Sequence, residues 1–344
     1  MVKDIRWLIT GGCGFIGTSL IRYLLGKGLA SRIRILDNLS VGTREDLASV
    51  CNFKEIHPLS LSNGQGYMHS RSGSVSSAIQ NKIVELVPGD IRDADLTQAC
   101  CRDMDIVVHL AANTGVPKSV ENPRLDMESN VIGTFNMLEA ARMTGIKRFV
   151  FASSGAPAGE VEPPIHEELP PHPVSPYGAS KLAGEGYCSA YFRTFGLETV
   201  ALRFSNVYGP GSTHKTSVVA KFIKQALDGE TLEIYGDGSQ TRDFIFIDDL
   251  INALVLAATR EGIGGEIFQI ATNRETTLDE MTELLISALE RHGISRPEVI
   301  KTEPRIGDVR RNFSDTTKAR QMLGWKCQWD LAQGLDSTIE WFTG

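Results

Sequence analysis

The stretch Thr10-Gly11-Gly12-Cys13-Gly14-Phe15-Ile16-Gly17 joins an apolar run, Arg6 to Thr10, to a helical pattern from Phe15 to Leu25. The short apolar run is typical of a buried strand. Glycines at every third position permit a tight turn, a close approach of backbone to a pyrophosphate and close packing of helix on strand. The unpaired N–H groups at the start of such a helix attract an anion. The loop therefore predicts a dinucleotide site formed by Gly11, Gly14, Phe15, Ile16 and Gly17.

A second strand pattern, Ile33 to Asp37, ends on an acid about 20 residues beyond Gly17. An acid at this place can accept hydrogen bonds from both hydroxyls of the adenosine ribose, and it repels a 2′-phosphate, so it favours NAD over NADP. Asp37 and Asn38 would also suit an ordinary turn, and glycine triplets serve turns in many proteins. Together the two features predict an NAD site that includes Asp37 and Asn38.

Further strand patterns alternate with helical ones, as in a parallel sheet covered on both faces. We therefore predict an α/β fold: a Rossmann-type doubly wound parallel sheet with a smaller mixed α/β C-terminal substrate domain. Residues 1–200 would form the NAD-binding domain, with a return segment at about 240–260, and residues 201–344 the second domain. The patterns are Ile83 to Val87, Ile106 to Leu110 and Arg148 to Ala152 for strands, and Asn130 to Arg142 for a helix.

Two regions depart from this rhythm. Residues 51–82, with a Ser/Gly-rich part from Ser60 to Ser77, make a connection longer than a compact domain needs, which indicates either a mobile excursion or a family-specific insertion. After residue 200 the pattern is mixed. Ile245 to Ile247 reads as a strand, and we expect Asp248 to cap the next helix.

Composition excludes several classes of function. The chain has 344 residues and a net charge of −7 without a basic stripe, which argues against nucleic acid as a partner. The first strand pattern begins too early for a signal peptide, and no apolar stretch is long enough for a bilayer, so we expect no membrane association. Six cysteines without a CxxC pair or histidine-linked spacing indicate free thiols, a cytoplasmic location and no metal site.

The segment Ser175-Pro176-Tyr177-Gly178-Ala179-Ser180-Lys181 is the candidate for chemistry. Ser175 can cap a helix whose first residue is Pro176, and Tyr177 and Lys181 then share one face. A cation near 4 Å contributes about 4 kcal/mol at an effective dielectric of about 20, or about three pKa units. The positive nicotinamide ring would add to this effect, so we expect Tyr177 to be poised near neutrality as general base and acid. Tyrosine and lysine at this spacing also occur by accident; the preceding dinucleotide motif makes catalysis the leading hypothesis.

The chain resembles the extended short-chain dehydrogenase/reductase family, in its group of NAD-dependent nucleotide-sugar epimerases and dehydratases. The resemblance runs nearly from end to end and is much more specific for the superfamily than for the substrate. Besides the two motifs above, its carriers are Gly89-Asp90-Ile91, His109-Leu110-Ala111-Ala112, Ser153-Ser154, Leu202 to Pro210 and Arg305-Ile306-Gly307-Asp308.

The resemblance implies roles toward the cofactor and the reacting sugar. Ser154, Tyr177 and Lys181 are the implied catalytic residues, with Ser154 hydrogen-bonded to the sugar O4 and Lys181 also holding the nicotinamide ribose. Asp90 and Ile91 would contact the adenine. The implied cofactor-binding residues also include the pyrophosphate-lining Ala111 and Ala112, together with Asn130 and Phe204.

The resemblance also implies that residues 201–344 form a nucleotide-sugar substrate domain. Asn206 would meet the sugar diphosphate, Arg242 and Arg305 would clamp its phosphates, and Asp308 would bind the uridine ribose. Guanidinium groups suit phosphates because they bind them bidentately, although most arginines are solvated surface charges. Lys118 lies in a loop that could line the sugar pocket. Asn312 falls where a bulky tyrosine restricts some relatives to unmodified sugars, so a smaller asparagine predicts room for an N-acetyl group.

The implied reaction is 4-epimerisation of a UDP-hexose through a transient 4-keto sugar, with UDP-GlcNAc and UDP-GalNAc as substrates alongside UDP-Glc and UDP-Gal. Two alternatives stay open: a related dehydratase or UDP-glucuronate decarboxylase or epimerase, and a non-catalytic NAD-binding regulator. Dehydratases of the group typically have Asp-Glu after the hydroxyl residue, where this chain has Gly155 and Ala156. The family's usual Val-Tyr-Gly is replaced by the run Gly155 to Gly159, which must reshape the pocket wall beside Ser154.

Oligomerisation is a further implication of the resemblance. The helices around Asn130–Arg142 and Tyr177–Phe195 resemble those that pair subunits in this family, so we expect a homodimer with a four-helix interface. Small residues on the second helix, Gly184 and Ala190 among them, would permit close approach.

Overall fold

The computed structural model describes residues 5–63, 68–71, 83–304 and 309–344. Arg305 and Asp308, two of the predicted substrate-binding residues, lie outside this range. Within it, no helix is long and apolar enough to cross a membrane. The strands are β1 (Arg6–Thr10), β2 (Arg32–Asp37), β3 (Phe53–Ile56), β4 (Met68–Arg71), β5 (Ile83–Pro88), β6 (Ile106–His109), β7 (Arg148–Ser154), β8 (Thr199–Phe204), β9 (Asn206–Tyr208), β10 (Leu232–Tyr235), β11 (Thr241–Arg242), β12 (Phe244–Phe246), β13 (Glu266–Ile270), β14 (Thr276–Thr277) and β15 (Val299–Thr302).

Nine of these strands form one sheet in the order β13-β8-β7-β6-β1-β2-β5-β3-β4. All neighbours pair in parallel except β3 and β4, which are antiparallel at one edge. The central strands are almost continuously apolar because helices cover both faces of the sheet. This arrangement confirms the predicted Rossmann-type doubly wound fold. The described part of residues 51–82 extends the sheet by β3 and β4 and also contains the short helix Pro58–Asn63.

The helices are α1 (Phe15–Gly26), α2 (Arg44–Ala48), α3 (Pro58–Asn63), α4 (Ala94–Cys101), α5 (Val116–Glu121), α6 (Pro123–Met127), α7 (Gly133–Thr144), α8 (Pro176–Phe195), α9 (Val218–Leu227), α10 (Ile247–Thr259), α11 (Leu278–Arg291) and α12 (Leu331–Thr343). A π-helical turn, Glu128–Ile132, links α6 to α7, and a second one is Ala319–Leu323; Ala156–Ala158 is a 3₁₀ turn.

The second half of the chain adds three small two-stranded sheets, β9 with β12, β10 with β15 and β11 with β14. It also returns to the main sheet twice: α10 packs against α1, and β13 pairs with β8. The division at residue 200 therefore stays a prediction. The expected cap at Asp248 is wrong, because α10 already begins at Ile247 with Phe246 as its cap residue. β12 correspondingly ends at Phe246, one residue before the predicted end.

Candidate active site

The carboxyl ends of β1, β2, β6 and β7 meet at one edge of the sheet, where parallel α/β sheets bind their ligands. Gly11 has a φ of +69°, and a Cβ there would lie 2.9 Å from the backbone N of Ala111 in the loop after β6. A Cβ on Gly17 would lie 2.5 Å from the Cα of Gly12. These two glycines are thus required by the protein's own packing. The first of them brings Ala111, a predicted pyrophosphate neighbour, against the glycine loop.

Gly14 is different, because the protein leaves space in front of it. A Cβ there would meet only the carbonyl oxygen of Gly11, at 3.4 Å. Gly14 caps α1 without a side-chain hydrogen bond, and the first turn, which includes Phe15 and Ile16, has no acidic residue. The partial positive charge of the helix end is therefore left uncompensated by side chains of α1. An open, positive cradle of this kind fits a pyrophosphate.

Asp37 is held rigidly at the end of β2. Its Oδ2 accepts a hydrogen bond from the backbone N of Cys13 at 2.9 Å, and its Oδ1 accepts one from the backbone N of Leu39 at 2.8 Å. Burial raises the pKa of this carboxyl group. Each oxygen keeps capacity for a further donor, so the carboxylate can accept the ribose hydroxyls predicted for it.

The next predicted cofactor residues form a polar cluster beside it. The side-chain amide of Asn38 donates to Asp90 Oδ2 at 3.1 Å, and Arg92 contacts the same carboxylate with two nitrogens. The hydrogen bonds from Arg92 hold the pKa of Asp90 at about 2, so it is ionised at neutral pH. Ile91 is buried, and a Cβ on Gly133 would touch it. The structure thus brings Asn38 and Asp90 together at this edge.

Asn130 lies deeper than a residue in direct contact with a ligand would. It is buried, and its side-chain amide pairs with both the N–H and the C=O of Asn113, in the loop after β6. It also donates to Asp126 and Ser180. Asn130 therefore connects the loop after Ala112 to α8. The side-chain nitrogen of Asn113 is buried without a hydrogen-bond partner in the described part of the chain, as expected for a group that awaits a ligand.

The predicted catalytic residues come together at the start of α8. Ser175 caps this helix by accepting from the N–H of Gly178, as predicted. The hydroxyl of Ser154, at the end of β7, is near enough to Tyr177 to lower the pKa of its phenol. The ammonium of Lys181 lies 5.9 Å from the centroid of the Tyr177 ring and donates to the carbonyl of Ala152 at 2.8 Å. The three predicted catalytic residues, Ser154, Tyr177 and Lys181, thus lie close together.

Burial dominates the electrostatics of this pair. Burial raises the pKa of Tyr177 to about 12, although the hydrogen bond with Ser154 acts in the opposite direction. Burial also lowers the pKa of Lys181 to about 8. Lys181 therefore does not bring the pKa of the phenol near neutrality in the protein without cofactor, and the expected poise, which also counted the positive nicotinamide ring, stays a prediction. The cost of burying the phenolate exceeds the effect of a cation that contacts a carbonyl.

The run Gly155 to Gly159, which directly follows Ser154, contains the 3₁₀ turn Ala156–Ala158 and contacts Ser154. The backbone N–H of Ala156 donates to Ser154 Oγ at 3.1 Å. This contact leaves the Ser154 hydroxyl proton available to Tyr177. No acidic side chain stands at Gly155 or Ala156, the positions immediately after Ser154.

The predicted substrate residues in the second half have mostly backbone partners. The side-chain amide of Asn206, at the start of β9, donates to the carbonyl of Asp243 at 3.2 Å. The hydroxyl of Ser205 donates to the same carbonyl. Arg242 donates to the carbonyl of Val309 at 2.7 Å, and the backbone N of Asn312 donates to Thr241 Oγ1 at 3.3 Å. Arg242 and Asn312 are thus brought near each other.

Two predicted residues remain without a demonstrated place in the site. Lys118 is exposed on α5. Phe204 is half-buried at the end of β8, and its carbonyl accepts from the N–H of Gly155 at 3.2 Å, beside Ser154. All residue roles toward the ligands stay predictions.

A buried ion pair beneath the catalytic residues was not predicted. Glu185, on α8 one turn after Lys181, is bound by Arg203 of β8 through two hydrogen bonds of 2.8 and 2.7 Å. It also accepts from the hydroxyl of Ser153 at 2.6 Å. Both charged side chains are at most 3% exposed. The spacing of four residues from Lys181 places Glu185 on the catalytic face of α8, but its partner lies on a distant strand.

Comparisons with known proteins agree with this geometry. Residues 7–271 match the NAD-dependent epimerase/dehydratase family. The chain belongs to that family. A UDP-glucose 4-epimerase from Mycolicibacterium smegmatis is 36% identical over 98% of both chains. The crystal structure of Thermus thermophilus UDP-glucose 4-epimerase in complex with NAD is 34% identical, with a TM-score of 0.81 over 99% of both chains.

A third relative is the UDP-N-acetylglucosamine 4-epimerase from Methanobrevibacter ruminantium in complex with UDP-N-acetylmuramic acid. It is 29% identical, with a TM-score of 0.83 over 99% of both chains. These matches confirm the predicted family and NAD as the cofactor. The protein is an NAD-dependent sugar epimerase or dehydratase.

The ion pair between Glu185 and Arg203 yields a prediction about stability. Arg203→Met leaves the Glu185 carboxylate buried and unpaired, so we expect a loss of about 3–5 kcal/mol in the free energy of unfolding, measured by urea denaturation. Arg203→Met combined with Glu185→Leu should recover most of that loss. As a control, Arg296→Met breaks an exposed pair with Glu283 and should cost less than about 1 kcal/mol. Equal losses in the free energy of unfolding for Arg203→Met and Arg296→Met would contradict the larger contribution that we expect from the buried pair.

Proposed function

We propose that the protein is a UDP-hexose 4-epimerase that accepts UDP-GlcNAc and UDP-GalNAc alongside UDP-Glc and UDP-Gal. The observation that carries the reaction type is the contact of Tyr177 with Ser154 beside Lys181, at the sheet edge that also bears the glycine loop. Bound NAD supplies a hydride acceptor and then returns the hydride. The chain's own residues must move one proton and hold the nucleotide.

In the proposed reaction, Tyr177 takes the proton from the sugar hydroxyl. The buried ammonium of Lys181 and the hydroxyl of Ser154 flank it, and the charge of the oxidised nicotinamide ring would further favour the phenolate. Ser154 can relay the proton because Ala156 already occupies an acceptor site on its oxygen. The same pair can return the proton when the sugar is reduced from its other face, as microscopic reversibility requires.

The two residues after Ser154 favour epimerisation over dehydration. Elimination of water after oxidation needs an additional acid and base beyond the tyrosine, which the resemblance places immediately after the hydroxyl residue. Gly155 and Ala156 form the start of a 3₁₀ turn and supply no such group. The intact tyrosine, serine and lysine in turn favour catalysis over a purely regulatory role.

The substrate assignment rests on Asn312 and its neighbours. Asn312 is half-buried beside Thr241, next to Arg242 in sequence, and is much smaller than tyrosine. A C2 N-acetyl group therefore finds more room here than beside an aromatic ring. The uridine side would be bound by Arg242, Asn206 and the residues at Arg305 and Asp308.

The reaction is tested by mass spectrometry and NMR of the products formed from UDP-GlcNAc and UDP-Glc. We expect products of unchanged mass with inverted C4 configuration, and a loss of turnover of about 10³-fold or more in Tyr177→Phe with NAD and UDP affinities retained. Tyr23→Phe, on α1, serves as the control with unchanged turnover. A product lighter by water or carbon dioxide would contradict epimerisation. Conversion of the unacetylated pair alone would overturn the assignment of UDP-GlcNAc.

Ser154 provides a pH-dependent test. Its hydrogen bond lowers the pKa of Tyr177, so Ser154→Ala should raise that pKa by about one to two units in the holoenzyme. Because the base form of Tyr177 is needed, the rising limb of kcat against pH should move to higher pH by the same amount. Ser31→Ala, whose hydroxyl contacts the distant carbonyl of Ile5, should leave the limb in place. A Ser154→Ala profile that merely falls in height would exclude this role.

We also propose that the protein is a homodimer. The surface formed by α6, the following π-helical turn, α7 and α8 carries a continuous set of exposed apolar side chains; these are Met127, Ile132, Phe135, Met143, Tyr187 and Phe195. Phe135 and Tyr187 stack edge to face across the two helices. Such a patch is typical of a protein interface, and a second copy of the same helices would form a four-helix contact. Gly184 does not contribute, because a Cβ there would strike the core residue Phe151.

The dimer is tested with Tyr187→Glu, which places a charge in the middle of this patch. We expect the variant to elute as a monomer in light-scattering chromatography, at a concentration where the unmodified protein is a dimer. Trp341→Glu, an equally exposed aromatic residue on α12, is the control and should not change the mass. A monomeric unmodified protein would refute the proposal directly.

A further inference from the structure

A loop from the second half of the chain lies across the glycine loop of the first half. This cover loop, Gly209 to Ser217, connects β9 to α9. A Cβ on Gly211 would lie 3.6 Å from the ring of Phe15, the first residue of α1. The ammonium of Lys215 lies 5.8 Å from the centroid of the same ring. The cover loop thus reaches the helix end where a pyrophosphate would bind.

The cover loop also contacts α2, which packs against the glycine loop. His214 contacts Asp46 of α2 at 3.0 Å. Asp46 is itself fixed by a capping box with Thr43, and a Cβ on the adjacent Gly42 would lie 2.5 Å from the backbone N of Gly14. The attachment point therefore sits against the glycine loop. His214 contacts α2 and Lys215 lies over Phe15 of α1, so these two neighbouring residues link the two helices.

Within the cover loop, His214 is paired with Asp46, whereas Lys215 is paired with no acid among the described residues. In the described part of the chain, Lys215 has no carboxylate within ion-pair distance and no side-chain hydrogen bond, and it is only half-exposed. Burial lowers its pKa, with no opposing acid. The α1 end that it faces has no acidic residue and no side-chain cap. Two uncompensated positive groups that face each other indicate a site for an anion.

A second group of the cover loop also lacks a partner. Ser212 is 2% exposed, and its hydroxyl has no hydrogen bond among the described residues. Its carbonyl accepts from the N–H of Lys215 at 3.0 Å, so the two residues belong to one turn. A buried hydroxyl normally has a partner, because leaving it unsatisfied costs about 1–3 kcal/mol. A ligand oxygen would supply that partner.

We propose that the cover loop is part of the dinucleotide site, where Lys215 and Ser212 bind the diphosphate of NAD opposite the start of α1. The contact of His214 with Asp46 holds the loop in this position. The nucleotide sugar also carries a diphosphate, but Phe15 belongs to the cofactor's helix, which favours NAD as the ligand. The proposal rests on NAD as the cofactor and not on which sugar is converted. The second half of the chain would then contribute residues that bind the cofactor directly.

The test is the retention of NAD by the full-length protein. Lys215→Met keeps the length of the side chain and removes its charge. We expect the dissociation constant for NAD to rise about 10- to 100-fold, the range for a lost charge-assisted hydrogen bond, and the NAD content after gel filtration to fall. Lys215→Arg should retain most of the affinity. Ser212→Ala should weaken binding in the same direction by a smaller factor.

Lys27→Met is the matched control. Lys27 follows the opposite end of α1, and its ammonium lies 5.9 Å from the ring of Tyr23, so the same kind of contact is removed without an anion site. It should retain NAD like the unmodified protein, and circular dichroism checks the fold of each variant. Equal NAD affinity in Lys215→Met and Lys27→Met would overturn the proposal. So would a Lys215→Met variant that loses affinity for UDP but not for NAD, because Lys215 would then serve the substrate's diphosphate.

Discussion

The ion pair between Glu185 and Arg203 fixes the reacting side chains to the sheet. Arg203 belongs to β8, Ser153 to β7 and Glu185 to α8, so one carboxylate joins three elements out of contact with water. Ser154 follows Ser153 directly, and Lys181 precedes Glu185 by one helical turn. A shift of α8 would break strong, desolvated hydrogen bonds before it moved Tyr177 away from Ser154. The relative position of Tyr177 and Ser154 is therefore set by the buried core.

The predicted cofactor site differs from this ion pair, because polar groups there have no partner among the described residues. The start of α1 has neither a capping side chain nor an acid, the amide nitrogen of Asn113 is buried without a partner among the described residues, and Gly14 faces open space. A buried amide nitrogen without a partner lowers the stability of the protein by itself. These features gain a physical reason once a dinucleotide supplies the missing acceptors. The ion pair of Glu185 with Arg203 is thus formed without a ligand, whereas the predicted dinucleotide site has polar groups that a ligand would satisfy.

The parts of this arrangement that the sequence predicts are local. The glycine loop, the acid ending β2 and the cap at Ser175 depend on neighbours within a few residues, where backbone geometry leaves little choice. The pair of Glu185 with Arg203 was missed because its members meet only after the sheet is formed. The cap assigned to Asp248 failed for a related reason: Ile247 is buried in the core and α10 begins there, so packing overrode the local preference.

The pKa of Tyr177 shows why a motif does not determine a site's electrostatics. A spacing of four residues places Lys181 on the same face as the phenol, but the burial of both groups is a property of the whole fold. Burial disfavours the phenolate and the ammonium alike, so the unliganded pair favours a neutral tyrosine. A positive charge brought by the cofactor beside the ring acts against that preference. In the proposed reaction, proton abstraction by Tyr177 would therefore depend on bound oxidised cofactor.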